Sequence, residues 1–181
     1  MKIPAAVFSL FFLIITSAAC KDEKEQEHPS SEIVKISVKW DYIHLPGKME
    51  LYDLSGAGGT ELWKTGIVKN FSDLPVSTSL KSTLEISPGE KKSFVLVYKN
   101  TTGKDLFFFA APHSVSPPEI SLGFKFKCLC INHTFKVPSD SYWYRIVQIS
   151  LDQNFLGDQI TVMHQLIATK PNHGSEYRYT N

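Results

Sequence analysis

Short runs of alternating apolar and polar residues constrain this chain more than any other feature. Residues 34–40 alternate between Val, Ile or Trp and Lys or Ser, which is the pattern of a strand with one buried face. Residues 94–98 and 160–167 are rich in β-branched and aromatic side chains, and Pro88 and Gly89 mark a turn between such runs. No long stretch repeats with the helical period. The pattern predicts an all-β fold, a β-sandwich.

Composition limits the chain to one ordinary globular domain. Of 181 residues, 43% are hydrophobic and 20% charged, which supplies a core for a single domain. The net charge of +1 gives no reason to expect a nucleic acid as partner. We place the folded domain at residues 33–170 and a polar tail at residues 171–181.

The amino terminus has the composition of an export signal. Lys2 precedes an apolar stretch at residues 5–15, and small residues lead into Cys20. We expect residues 1–19 to be a signal peptide, Cys20 to be lipidated, and residues 20–32 to form a polar tether. Ordinary secretory cleavage and an uncleaved anchor are the alternatives. The expected location is the bacterial cell envelope, with the protein membrane-anchored and facing the periplasm or the exterior.

Cys128 and Cys130 are the cysteines that remain in the domain once Cys20 is set aside. They end an alternating stretch, residues 124–131, so as parts of one strand they would share a face. A strand rise of about 3.3 Å per residue would place them roughly 6.6 Å apart, too far for a disulfide without a bend. Two such thiolates suit Cu(I). Two half-buried cysteines, or a strained redox pair, are the alternatives.

Several motifs resemble, in order, the copper-delivery assembly proteins of cytochrome c oxidase, the CtaG type. The resemblance covers about residues 51–167, and its motifs include Leu51-Tyr52-Asp53-Leu54, Gly58-Gly59-Thr60, Ile86-Ser87-Pro88-Gly89-Glu90, Cys128-Leu129-Cys130-Ile131, Val137-Pro138 and Ile160-Thr161. The chain would be a divergent member, because aliphatic Leu129 and Ile131 stand where the family has aromatic residues.

The resemblance implies an immunoglobulin-like β-sandwich held outside the membrane by an N-terminal anchor. It implies that Cys128 and Cys130 bind Cu(I), and that the partner is the cytochrome c oxidase subunit carrying the Cu(B) site. On this basis we expect a copper metallochaperone rather than an enzyme. A lipid-anchored binding or scaffold module without copper transfer is the alternative. A copper-bridged homodimer is expected if the two thiols stay too far apart to grip one ion.

Other polar residues are weaker candidates for the site. His133 follows Cys130 by three residues and could complete a copper site, although a surface turn is its more typical place. Met163 and His164 lie on the last expected strand, where Met usually fills the core. His113 has no partner visible in the sequence. Lys125 and Lys127 could favour thiolates, but such lysines are usually the solvent face of a strand.

Overall fold

The computed structural model describes residues 33–56, 62–80, 82–130 and 133–171. The expected signal peptide, Cys20, the tether and all but the first residue of the polar tail lie outside the described residues. The described part is almost entirely β, which confirms the expected sandwich. Its strands are β1 (Val34–Ile43), β2 (Met49–Leu54), β3 (Thr65–Val68), β4 (Val76–Leu80), β5 (Thr83–Ile86), β6 (Lys91–Asn100), β7 (Leu106–Ala110), β8 (Ser114–Ser116), β9 (Phe124–Lys127), β10 (Thr134–Val137), β11 (Ser141–Leu151) and β12 (Gln159–Ala168). Two short 3₁₀ turns, Phe71–Asp73 and Pro118–Ser121, complete the regular structure of this part.

The strands form two six-stranded sheets. The first has the order β10-β7-β12-β1-β5, with β8 also paired to β12. The second has the order β3-β11-β6-β2-β4, with β9 also paired to β11. All pairings are antiparallel except β1 with β12, which run parallel and place Trp40 opposite His164. The first and the last strand of the domain are therefore neighbours in the first sheet.

The core fills the space between the sheets with the inward residues of both. An aromatic cluster is its centre: Trp143 lies 5.2 Å from Phe108 and 5.1 Å from Phe135 between ring centroids. Alternation explains the arrangement, because every second residue is buried from Val34 to Val38 in β1 and from Ile160 to Leu166 in β12. Burial of such aromatic side chains provides much of the hydrophobic stabilisation of a domain of this size.

One part of the strand pattern was wrong. The alternating stretch at residues 124–131 continues as a strand only to Lys127, and the chain bends at Cys128 and Leu129. The cause lies elsewhere in the chain. The Trp63 amide donates a hydrogen bond to the carbonyl of Ile146, so the edge of β11 just beyond the β9 pairing is already occupied. Lys127, paired with Gln148, is therefore the last residue that β11 can accept from β9.

Candidate metal centre

In each sheet, two short strands pair with the same side of one long strand and leave a gap between them. The two gaps lie at the same level, and the candidate site lies between them. In the second sheet, β9 and β3 lie end to end along one side of β11, and Cys128 leaves the sheet between them. In the first sheet, β8 and β7 lie end to end along one side of β12, and His113 lies in the link between them. His164, on β12, is at the level of this link. The topology therefore brings residues from both sheets together.

Four side chains meet at this point: His113, Cys128, Cys130 and His164. One ligand atom from each lies within 4.8 Å of all the others. The two sulfur atoms are 3.0 Å apart, and His113 Nδ1 is 3.1 Å from Cys130 Sγ and 3.3 Å from Cys128 Sγ. Two thiols and two imidazoles at such distances form a group that could hold a metal ion.

His164 is the most deeply buried member of the group, with 0% of its surface exposed. Neither of its ring nitrogens has a hydrogen-bond partner among the described residues. Its ring stacks on Trp40 at 5.1 Å between centroids and meets Phe126 edge-on at 5.5 Å. Burial lowers the pKa of His164 to about 4, against a smaller opposing effect of Cys130. The ring is therefore neutral near pH 7, which is the form that binds metals.

The pKa values of the two thiols are shifted in opposite directions. The Cys128 thiol donates a hydrogen bond to Cys130, and this bond, followed by burial, raises the pKa of Cys128 above its usual range. The same bond, together with one from His113, lowers the pKa of Cys130. A thiolate therefore forms first at Cys130, and a thiolate is the form that binds a metal. Lys125 and Lys127 do not account for this shift.

Arg145 ties the bend at Cys128 to the second sheet. The side chain is buried, and its Nε donates to the carbonyl oxygen of Cys128 at 3.3 Å. One of its terminal nitrogens, Nη1, donates to Thr65 Oγ1 at 2.6 Å. The guanidinium thus satisfies a backbone carbonyl that the end of β9 has left without a strand partner. Sequence reasoning did not single out this residue.

The structure brings the two sequence-predicted cysteines together, but not at the expected separation. The strand bends, and 3.0 Å separates the sulfur atoms instead of the roughly 6.6 Å set by the rise of a regular strand. His133 is not a member of the four-residue group. Lys125 pairs with Asp152 at 3.1 Å, and Lys127 lies over the Trp63 ring, so both occupy the outer face of β9.

Two members of the group, His113 and His164, were not predicted as ligands. The sequence carried a signal for His164: it occupies an inward position of β12, in step with Ile160, Val162 and Leu166. A histidine in such a position must find a partner or remain unsatisfied. For His113 the sequence gave no comparable signal, because its place depends on the pairing of β7 and β8 with the same strand.

These features define a class: a two-sheet β-sandwich with a Cys₂His₂ group between its sheets. The family described as a domain of unknown function, DUF8709, matches residues 34–169, and the chain belongs to that family. No curated protein matches the chain. Among the described residues, no helix is both long enough and apolar enough to cross a membrane.

Proposed function

We propose that this protein is a membrane-anchored, extracytoplasmic Cu(I) metallochaperone. The observation that carries the proposal is the pair of sulfur atoms 3.0 Å apart, one exposed and one buried, at the edge of a rigid sandwich. Soft thiolates select Cu(I), and imidazole is a compatible second ligand type. The resemblance to the copper-delivery proteins of cytochrome c oxidase supports the subunit with the Cu(B) site as recipient. Lipidation of Cys20 would keep the domain at the membrane that holds such an oxidase.

A carrier works by ligand exchange and needs no turnover chemistry. Cys128 and Cys130 bind the ion as thiolates, and ligands of the recipient then replace them one at a time. Strands β9, β11 and β12, each hydrogen-bonded within its own sheet, would keep the protein's ligands close together while this occurs. Preorganisation of this kind lowers the entropic cost of binding the ion.

A structural zinc site is the second candidate. Four ligands of the Cys₂His₂ type are also the set of closed structural zinc sites. In that case the ion would hold the two sheets together in a binding or scaffold module, and no metal would be transferred. The two functions differ in metal preference and in how readily the ion leaves.

The test is metal competition on the full-length protein, reduced and kept in detergent without oxygen. We expect Cu(I) to displace Zn²⁺, and bound Cu(I) to pass to a thiol acceptor within minutes. Cys128→Ser should lose copper, and His133→Ala is the matched control that should keep it. A protein that keeps Zn²⁺ against excess Cu(I), or that binds neither metal, would contradict the proposed function.

A further inference from the structure

The four candidate ligands differ sharply in their access to solvent. Cys128 is 4% exposed and His164 is 0% exposed. Cys130 is exposed and His113 is half-buried. One thiol and one imidazole thus lie on the inner side of the group, and one of each lies on the outer side.

We propose that one Cu(I) ion binds within a single chain, held by Cys128 and His164 and exchanged through Cys130 and His113. This inference rests on the proposed function, to which it adds the ligand set, the number of ions and the side from which copper leaves.

The distances favour a site with one ion. Metal–ligand bonds of about 2.0–2.3 Å put neighbouring ligand atoms of one ion roughly 3–4 Å apart. The sulfur–sulfur and sulfur–nitrogen distances of 3.0, 3.1 and 3.3 Å are close to that range. The copper-bridged dimer was expected because one chain was thought to present two distant thiols. Since one chain supplies four nearby ligand atoms, a second chain is not needed to complete the coordination.

The inner pair is fixed by packing. The His164 ring lies against Trp40 and Phe126, so it cannot swing away without displacing two aromatic side chains. The backbone of Cys128 is held by the hydrogen bond from Arg145. The buried imidazole also has no hydrogen-bond partner, and a metal ion would supply one for a ring nitrogen.

The outer pair is where a recipient could reach the ion. Cys130 follows the bend and is exposed, so an incoming thiol can approach on its side. In the exchange step, a bond forms between copper and the acceptor sulfur, and the bond between copper and Cys130 Sγ breaks. The proton of the acceptor thiol passes to the released Cys130 thiolate. Copper remains Cu(I) throughout, so no oxidant or reductant takes part.

The ligand set is tested by X-ray absorption and sedimentation of the full-length protein in detergent, loaded with Cu(I) from its acetonitrile complex. We expect one copper per chain, a mixed sulfur and nitrogen shell, no copper–copper distance, and no change of oligomeric state on loading. A sulfur-only shell with a short copper–copper distance, in a dimer that forms with copper, would overturn the inference and leave the proposed function intact. Failure to bind copper would overturn both.

The division into inner and outer ligands is tested with two matched pairs of variants. Competition with a chromogenic Cu(I) chelator measures affinity, and stopped-flow transfer to a dithiol measures release. Loss of an inner ligand, in Cys128→Ser or His164→Phe, should weaken binding by about 100-fold or more, beyond the range typical of groups that only support a ligand. The outer variants, Cys130→Ser and His113→Phe, should lose less affinity and release copper faster than the wild type.

The affinity lost in Cys128→Ser is compared with that lost in Cys130→Ser, and the affinity lost in His164→Phe with that lost in His113→Phe. If the inner variant lost no more affinity than the outer one, the division into inner and outer ligands would be wrong. Circular dichroism of each metal-free variant checks the fold. Should His164→Phe fail to fold, His164→Gln serves in its place, because the amide keeps the polarity of the site but is a poor ligand for Cu(I).

Discussion

At the scale of single residues, the burial of His164 should reduce the stability of the metal-free protein. Its ring is fully buried, and neither nitrogen has a hydrogen-bond partner among the described residues. A buried polar group without a partner costs about 1–3 kcal/mol. Trp40 and Phe126 hold the ring in place but give its nitrogens no hydrogen-bond partner. Such a group persists in a folded protein when a ligand completes it, which agrees with the proposed metal site.

Replacing His164 by Phe should stabilise the metal-free protein. The new ring fits among Trp40, Phe126 and His113 without an unpartnered nitrogen, so we expect a gain of about 1 kcal/mol in the free energy of unfolding. Denaturant unfolding of the metal-free protein measures it. His164→Gln keeps polar atoms in the site and should give no gain. If His164→Phe gave no gain in the free energy of unfolding, or a gain no larger than the change in His164→Gln, this explanation would be wrong.

The raised pKa of Tyr98 should make the stability of the folded protein depend on pH above pH 10. The Tyr98 hydroxyl donates to the carbonyl of Pro46, and burial, with a smaller effect of Tyr42, raises its pKa from 10.0 to about 12. Between these values the folded protein keeps a proton that the unfolded chain loses. The contribution of Tyr98 is therefore complete below pH 10 and declines as the pH rises through about 12.

Tyr98→Phe should lower the free energy of unfolding at neutral pH by about 1 kcal/mol, because the Pro46 carbonyl loses its donor. The variant should also lose less stability than the wild type between pH 9 and about 11. Urea unfolding at a series of pH values measures both effects. Equal pH dependence in the two proteins would show that Tyr98 is not the group responsible.

At the scale of elements, the end of β9 makes the site possible. If β9 continued along β11, Cys128 and Cys130 would stand on one face of a regular strand, roughly 6.6 Å apart. Pairing of Trp63 with Ile146 ends it at Lys127, and the bend that follows brings the sulfur atoms to 3.0 Å. Arg145 then satisfies the freed carbonyl of Cys128. The same bend that ends β9 therefore also brings the two cysteine side chains together.

Arg145→Met should loosen this bend without removing the strand. The substitution keeps much of the side-chain volume but leaves the Cys128 carbonyl and the Thr65 hydroxyl without their donor. We expect a loss of about 1–3 kcal/mol in the free energy of unfolding, and weaker metal binding as well. Chemical unfolding measures the first effect, and chelator competition the second. Lys125→Met, which removes an exposed cation from β9, is the control and should change neither by much.

The strands could be predicted from the sequence, but the contacts between segments far apart in the chain could not. Alternation located the strands, since the inward residues of β1 and β12 are set by local order alone. It also identified the two cysteines. The end of β9 could not be foreseen, because it depends on a contact with Trp63, far away in the chain. Likewise His113 and His164 approach the cysteines only once both sheets have assembled.

At the scale of the whole molecule, the four candidate ligands come from both sheets. His164 lies on β12 of the first sheet, His113 lies in the link between two strands of that sheet, and Cys128 and Cys130 follow a strand of the second. Elsewhere the sheets are held mainly by apolar contacts, which are not directional, and by a few hydrogen bonds such as that from the Asn100 side chain to the carbonyl of Val137. A metal ion bound to all four residues would add a directional link between them. Binding and global stability should therefore be coupled.

Cu(I) should stabilise the entire sandwich against unfolding. Binding to the folded state alone adds about 4 kcal/mol when the free ligand is about 1,000 times its dissociation constant. Hydrogen exchange with and without Cu(I), at a fixed free-copper level, should slow in β12 of the first sheet and in β9 and β11 of the second. Cys128→Ser, which should bind copper about 100-fold more weakly, should show a smaller change, while Lys125→Met should respond like the wild type. Protection confined to the strands of one sheet would mean that the ion is held by that sheet alone, and the link between the sheets would be wrong.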